Sequence, residues 1–183
     1  MKKLFVFTAI VLMHCASGLK AQSQAIHSAV TFEIKNLGIA MGGSLGGLQA
    51  KVHFTPADLN ASTIEASVDV NTLNTDNASR DEHLRSEDFF DAAHFSKISL
   101  KSVNFKHKSG SNYTGMFILT MKGRSKQIEI PFAFLDKEGT VEFKGTFKIN
   151  RLDFGVGSKS MILSDDVTVT IDCGEKKQML TRI

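Results

Sequence analysis

The chain has 183 residues, 42% of them hydrophobic, with 22 Lys and Arg set against 19 Asp and Glu. The positive excess resides in Lys2, Lys3 and Lys20 of an acid-free N-terminal stretch, so the remainder balances at 19 against 19. This composition supports one substantial core and lacks the surplus charge with which proteins displace counterions from nucleic acid, so no nucleic-acid partner is expected.

Lys2 and Lys3, the unbroken apolar run Leu4 to Met13, and the small and polar residues Ala16, Ser17, Gly18 and Ala21 have the build of a secretory signal peptide. The run is too short to span a bilayer, which needs about 20 residues, and no later stretch forms an integral membrane segment. Cleavage is expected after Ala21, with Gly18 as the alternative, leaving one domain over residues 22–183 in a periplasmic or secreted location. Leu12-Met13-His14-Cys15 brings a lipoprotein anchor to mind, but the bulky His14 stands where such a site needs a small residue. Without Cys15 only Cys173 remains. No intramolecular disulfide can then form, and the fold rests on its core.

From Val30 onward the dominant signal is period-two alternation, the mark of strands with one wetted face. It runs through Val30 to Ile34, Leu48 to Phe54, Ile64 to Val70, Ile98 to Leu100, Tyr113 to Met121, Ile128 to Phe134, Val141 to Ile149 and Val167 to Ile171, which makes eight strands. Turn residues at Ser109 to Asn112, Lys122-Gly123 and Asp136 to Gly139 make most connections short, which favours antiparallel neighbours. Eight such strands can close into an antiparallel barrel that fills itself or holds one small ligand. A two-sheet sandwich satisfies the same pattern.

Residues 72–96, between the third and fourth strands, lose the alternation. Ser79 with Glu82 fits a capping box, and Ser86 followed by Glu87 and Asp88 fits a second N-cap with an acidic first turn. Two short helices are expected, with Leu84, Phe89, Phe90 and Phe95 packed across an open end of the barrel.

The inward faces are almost wholly apolar. Phe32, Phe54, Val68, Phe117, Ile130, Phe143, Phe147 and Val169 are the expected lining of an apolar pocket. Ala50, Ala66, Gly115 and Gly145 are small residues at inward positions, and Gly145 in mid-strand would leave room for a ligand. A solid packed core is the alternative. In the insertion, Arg80, Asp81 and His83 place a base and an acid together. However, Asp81 suits a helix first turn, and no nucleophile stands at a recognisable motif, so no catalytic residue is assigned. His27, His53, His83, His94 and His107 show none of the spacings that zinc sites use, so no metal and no cofactor is expected. Arg151 to Gly157 contains a GxG without the strand–loop–helix context of a phosphate loop, and its glycines suit a turn that needs positive φ.

Asn71-Thr72-Leu73-Asn74-Thr75, followed by Arg80-Asp81-x-His83-Leu84-Arg85-Ser86-x-Asp88-Phe89-Phe90-Asp91, resembles the hallmark segment of the YceI-like, polyisoprenoid-binding family. Ile98 to Ser102, Gly115-x-Phe117-x-Leu119-Thr120-Met121-Lys122-Gly123 and Asn150-Arg151-x-Asp153-Phe154-Gly155-Val156 resemble its later motifs, in order, and the match runs from about residue 26 to residue 173. The resemblance implies an eight-stranded, lipocalin-like antiparallel barrel with a short helical insertion between the third and fourth strands. It also implies export and an apolar tunnel for a polyisoprenoid, an isoprenoid quinone or a related amphiphile. Two rival readings remain: an enzyme acting on a bound lipid through Arg80, Asp81 and His83, and a ligand-free structural barrel. A homodimer is left open. Two departures stand out: Asn36 occupies a position where many relatives carry histidine, and Gly38 to Gly47 is unusually rich in glycine.

Overall fold

The computed structural model describes residues 25–137 and 139–176. The segment expected to be a signal peptide, residues 1–21, lies outside them. The described chain is all-β, with nine antiparallel strands in one curled sheet ordered β2-β1-β9-β8-β7-β6-β5-β4-β3. The strands are β1 (Ala25–Asn36), β2 (Ile39–Leu45), β3 (Gln49–His53), β4 (Thr63–Asp69), β5 (Lys97–Ser109), β6 (Asn112–Met121), β7 (Arg124–Lys137), β8 (Thr140–Asn150) and β9 (Leu163–Lys176).

The ninth strand, absent from the alternation pattern, is β2. It lies in the glycine-rich stretch, where Gly42 and Gly43 give the pattern no side chains to report. Gly43 also has a packing reason, because a Cβ there would stand 2.4 Å from the Phe32 ring. β2 and β3 are two halves of one run bent at Gly46-Gly47, with Gly47 at φ +64°. The first half pairs with β1 and the second with β4. Consecutive segments therefore form the two edges of the sheet, and among the described residues no ladder joins them.

Part of that seam is covered by the β4–β5 connection. Ser44 and Asn74 exchange backbone hydrogen bonds at 2.8 and 3.0 Å, and the Gly46 amide donates to Thr72 Oγ1 at 2.7 Å. These bonds satisfy groups that an open sheet edge would leave exposed. The connection opens with a short 3-10 turn, Val70–Thr72, and holds one α-helix, α1 (Ala78–Arg85), rather than two. Asn77, not Ser79, is its N-cap, with Oδ1 accepting from the Arg80 amide at 2.9 Å. Residues 86–95 form turns, and Asp91 at φ +51° interrupts any helical continuation.

Because successive strands are antiparallel, the loops divide between two ends. At one end lie the β3–β4, β5–β6 and β7–β8 connections, and this end is solid. Phe54 reaches in from the β3–β4 connection. Its ring meets Phe105, Tyr113, Phe132, Phe134 and Phe143 with centroid separations of 4.9 to 5.8 Å. At the other end lie the β1–β2 turn, the insertion, the Lys122-Gly123 turn and the β8–β9 loop, and this end holds a cavity.

Candidate functional site: an apolar cavity at the insertion end

The cavity has a volume of about 330 Å³ and a lining that is almost entirely carbon. Among the residues expected to line a pocket, Phe32, Val68, Phe147 and Val169 face it, and from the insertion so do Arg80, His83, Leu84, Phe89 and Phe90. Phe54, Phe117, Ile130, Phe143 and Gly145 do not border it. Phe54 and Phe143 belong to the aromatic plug, and Phe117 and Ile130 are packed solidly at 3% and 4% exposure. Alternation tells which way a side chain points but not how far along the barrel axis it sits. These residues point inward but sit beneath the cavity rather than around it.

Gly145 is a packing glycine. A Cβ there would lie 3.1 Å from the Pro131 carbonyl oxygen and 3.4 Å from Phe132 Cβ, on the neighbouring strand. Gly115 is likewise filled, by the Phe117 ring. The cavity walls that sequence reading missed include Ile34, Leu45, Ile98, Leu100, Met121, Ile149 and Val156. The signal that could have found them is position: most are inward residues in the strand halves nearest the insertion.

A few polar groups border this apolar space. Arg80 donates from Nε to Thr75 Oγ1 at 2.7 Å and from Nη2 to the Thr75 carbonyl. Thr75 in turn donates from its amide and its hydroxyl to Asp81 Oδ1, at 2.9 and 2.5 Å. Asp81 therefore positions Thr75, which positions Arg80. The described ion pairs do not include Arg80, whose guanidinium is half-buried at the cavity wall. His83 lies against Phe89 with ring centroids 4.9 Å apart. No hydrogen bond joins His83 to Asp81 among the described residues, so the base and the acid are not assembled as a proton-transfer pair.

Arg151 is the most deeply buried charged side chain among the described residues, 3% exposed. It donates from Nε to the Ser164 carbonyl at 2.9 Å and from Nη1 to the Val156 carbonyl at 2.8 Å, and Nη2 lies 3.2 Å from Asp165 Oδ1. It ties the β8–β9 loop over the cavity. Removing one partner of a buried ion pair strands the others. Arg151→Met is expected to lower the unfolding free energy by about 3 kcal/mol, at the low end of the range because Asp165 retains access to water, and urea denaturation would read the loss directly.

Asn36 borders the cavity with its Oδ1 buried and, among the described residues, without a hydrogen-bond partner. A buried unsatisfied acceptor costs about 1–3 kcal/mol. Asn36→Leu should therefore raise the stability of the ligand-free protein by about 1 kcal/mol in the same assay. An unchanged or lower midpoint would mean that the amide has a partner. At the outer side of the insertion, the hydrogen bond that His94 Nδ1 donates to Asp91 Oδ1, reinforced by the carboxylate's charge, holds His94 above the usual histidine range. That pair supports the turn fully at pH below the unfolded histidine value, and the support is lost as pH rises through the folded one.

Among the described residues no group of three or more His, Cys, Asp or Glu could hold a metal ion, and no helix is long and apolar enough to cross a membrane. The cavity is therefore a site of shape and apolar surface, with an arginine-bearing wall.

Known proteins share this architecture. A crystal structure of BcnA from Burkholderia cenocepacia superposes with a TM-score of 0.77 at 22% identity, covering 80% of this chain and 95% of that one. A polyisoprenoid-binding domain from Saccharophagus degradans superposes at 0.69 with 14% identity, covering 85% and 97%. At these identities the likeness shows the fold alone. In sequence, a UPF0312 protein of Pseudomonas fluorescens is 33% identical over 142 residues, 70% of this chain and 71% of the relative. A UPF0312 protein of Vibrio cholerae is 29% identical over 141 residues, 73% and 75% of the two chains. The YceI-like domain model matches residues 22–174, a span that takes in the insertion, the cavity walls and the Arg151 loop together, and the chain belongs to the YceI-like family.

Proposed function

We propose that this protein is an exported binding protein, not an enzyme, that carries an amphiphile with a polyisoprenoid or isoprenoid-quinone chain through an aqueous compartment. The observation that carries the reading is the cavity of about 330 Å³ with its apolar lining. A void of that size is costly to leave empty, because its walls forgo contacts they would otherwise make. An apolar chain restores those contacts, and each methylene removed from water contributes about 0.8 kcal/mol. The polyisoprenoid-binding domain among the structural neighbours supports the ligand class.

The polar wall suits the other end of such a molecule. Arg80 is positioned through Thr75 and Asp81 and has no described ion-pair partner, so it can donate to a head-group oxygen. Catalysis through Arg80, Asp81 and His83 is disfavoured by their hydrogen bonding, which employs Asp81 in fixing Thr75. A ligand-free barrel is disfavoured by the cavity itself. The volume sits at the lower end of the roughly 300–1,000 Å³ typical of ligand pockets. The enclosed space therefore takes one end of a long chain, and the rest extends through the open end.

The test is displacement of an apolar fluorescent probe from the mature protein by isoprenoid alcohols. Saturable displacement with one site per chain supports the carrier reading. Absence of probe binding, or displacement equal to that seen with a solid barrel of similar surface, would refute it.

A further inference from the structure

Four large apolar side chains stand in water around the open end: Leu37 at 71% exposure, Ile39 at 67%, Met161 at 103% and Ile162 at 52%. They come from two loops held side by side. The Leu37 amide donates to the Ile162 carbonyl at 2.7 Å, and Asn36 pairs with both Ile39 and Leu163. Their chain neighbours Asn36, Met41 and Leu163 border the cavity, so the patch is part of its rim.

The turn that carries Leu37 is poorly explained by folding. Leu37 and Gly38 have φ of +51° and +79°. A two-residue hairpin turn with both central residues at positive φ strongly prefers asparagine, aspartate or glycine at the first position. A leucine there is strained, and its side chain gains nothing from the core in return. Charge adds a second signal. Residues 34–48 and 154–164 contain no Asp or Glu, and their only charges are Lys35 and Lys159, both exposed. Apolar loop tips flanked by lysine are what an interfacial membrane contact requires: the tips enter the headgroup boundary while the cations meet anionic lipid. A second copy of the chain is a poorer occupant, because a stable protein interface buries roughly 800 Å² per partner, more than four protruding side chains provide.

We infer that this rim docks the open end onto a bilayer containing anionic lipid, so that a chain passes between membrane and cavity without crossing water. The inference builds on the carrier reading, but vesicle binding requires no occupant in the cavity, so the two are tested apart. The experiment is co-sedimentation of the mature protein with vesicles of phosphatidylglycerol and phosphatidylethanolamine, and with vesicles of phosphatidylcholine alone. The parent is expected to partition onto the anionic vesicles. Leu37→Ser/Ile39→Ser/Met161→Ser/Ile162→Ser should reduce that partitioning at least roughly tenfold, and Lys35→Glu/Lys159→Glu at least roughly fivefold per lysine. Both variants alter only exposed positions and should keep the parent's circular dichroism and urea-unfolding midpoint. A parent that stays in the supernatant with both compositions would overturn the inference and leave the carrier reading standing. A serine variant that sediments like the parent would do the same. A parent dimer that the serine variant converts to monomer would overturn it in favour of an interface between copies.

Discussion

Phe54→Ala should lengthen the apolar tunnel and let the protein accept longer chains than the parent. Phe54 is the central ring of the plug, in contact with five other aromatic rings, and it enters from a loop rather than from a strand. Its removal leaves a void lined by Phe105, Tyr113, Phe132, Phe134 and Phe143, below the existing cavity. The cost to stability is about 3 kcal/mol, the low end of the range for deleting a core aromatic ring, because Phe54 is only partly buried. That is a large fraction of the total stability of a typical domain, so Phe54→Leu, a milder truncation, serves as its companion. Long isoprenoids should then raise the melting temperature of the variant more than that of the parent, because the chain replaces the lost ring. The readout is the isoprenoid length at which affinity stops rising. If that length is the same for a folded Phe54 variant and for the parent, the plug does not set the limit.

The opposite change should close the site. Ala66 lies on β4, borders the cavity and carries a side chain small enough to leave open space before it. Ala66→Phe places a ring in the volume that the ligand would occupy. Filling an apolar cavity tends to stabilise a protein, whereas overpacking costs about 1–3 kcal/mol. Because the ring enters existing space, the net change in stability should be small. Ligand affinity should fall about 100-fold, equivalent to about 2.7 kcal/mol. Probe displacement measures the affinity and urea denaturation measures the stability. A variant as stable as the parent that binds isoprenoid with parental affinity would place the ligand elsewhere.

The barrel was legible because alternation is a local property, and each of β4 to β9 carries an unbroken run of it. β2 was not legible because Gly42 and Gly43, which face Phe32 and its backbone, leave a gap in the apolar period between Met41 and the buried Leu45. The helical insertion was legible from its loss of period, but its cap was misplaced. Ser79 and Asn77 both precede acidic residues, and only the backbone direction at Asn77, extended at φ −149°, decides between them. The site was half legible. Phe32, Val68, Phe147 and Val169 share an inward direction with Phe54, Phe117, Ile130 and Phe143. What separates the two groups is height in the barrel, and that depends on strand stagger and on where the β3–β4 connection inserts its ring. Neither is written in any single strand.

The reading of Arg80, Asp81 and His83 depended on partners that only the fold supplies. Their spacing suits either a helix first turn or an acid–base pair. Thr75 decides, by drawing both hydrogen bonds of the Asp81 Oδ1 atom toward the loop. Arg80 is left facing the cavity wall as a positioned donor.

Native mass spectrometry of the protein isolated from its own host, followed by denaturation and identification of what is released, tests the central claim most directly. The account predicts a one-to-one complex that releases a molecule with a long isoprenoid chain. A bare polypeptide mass, unchanged after incubation with polyprenyl lipids, would contradict it.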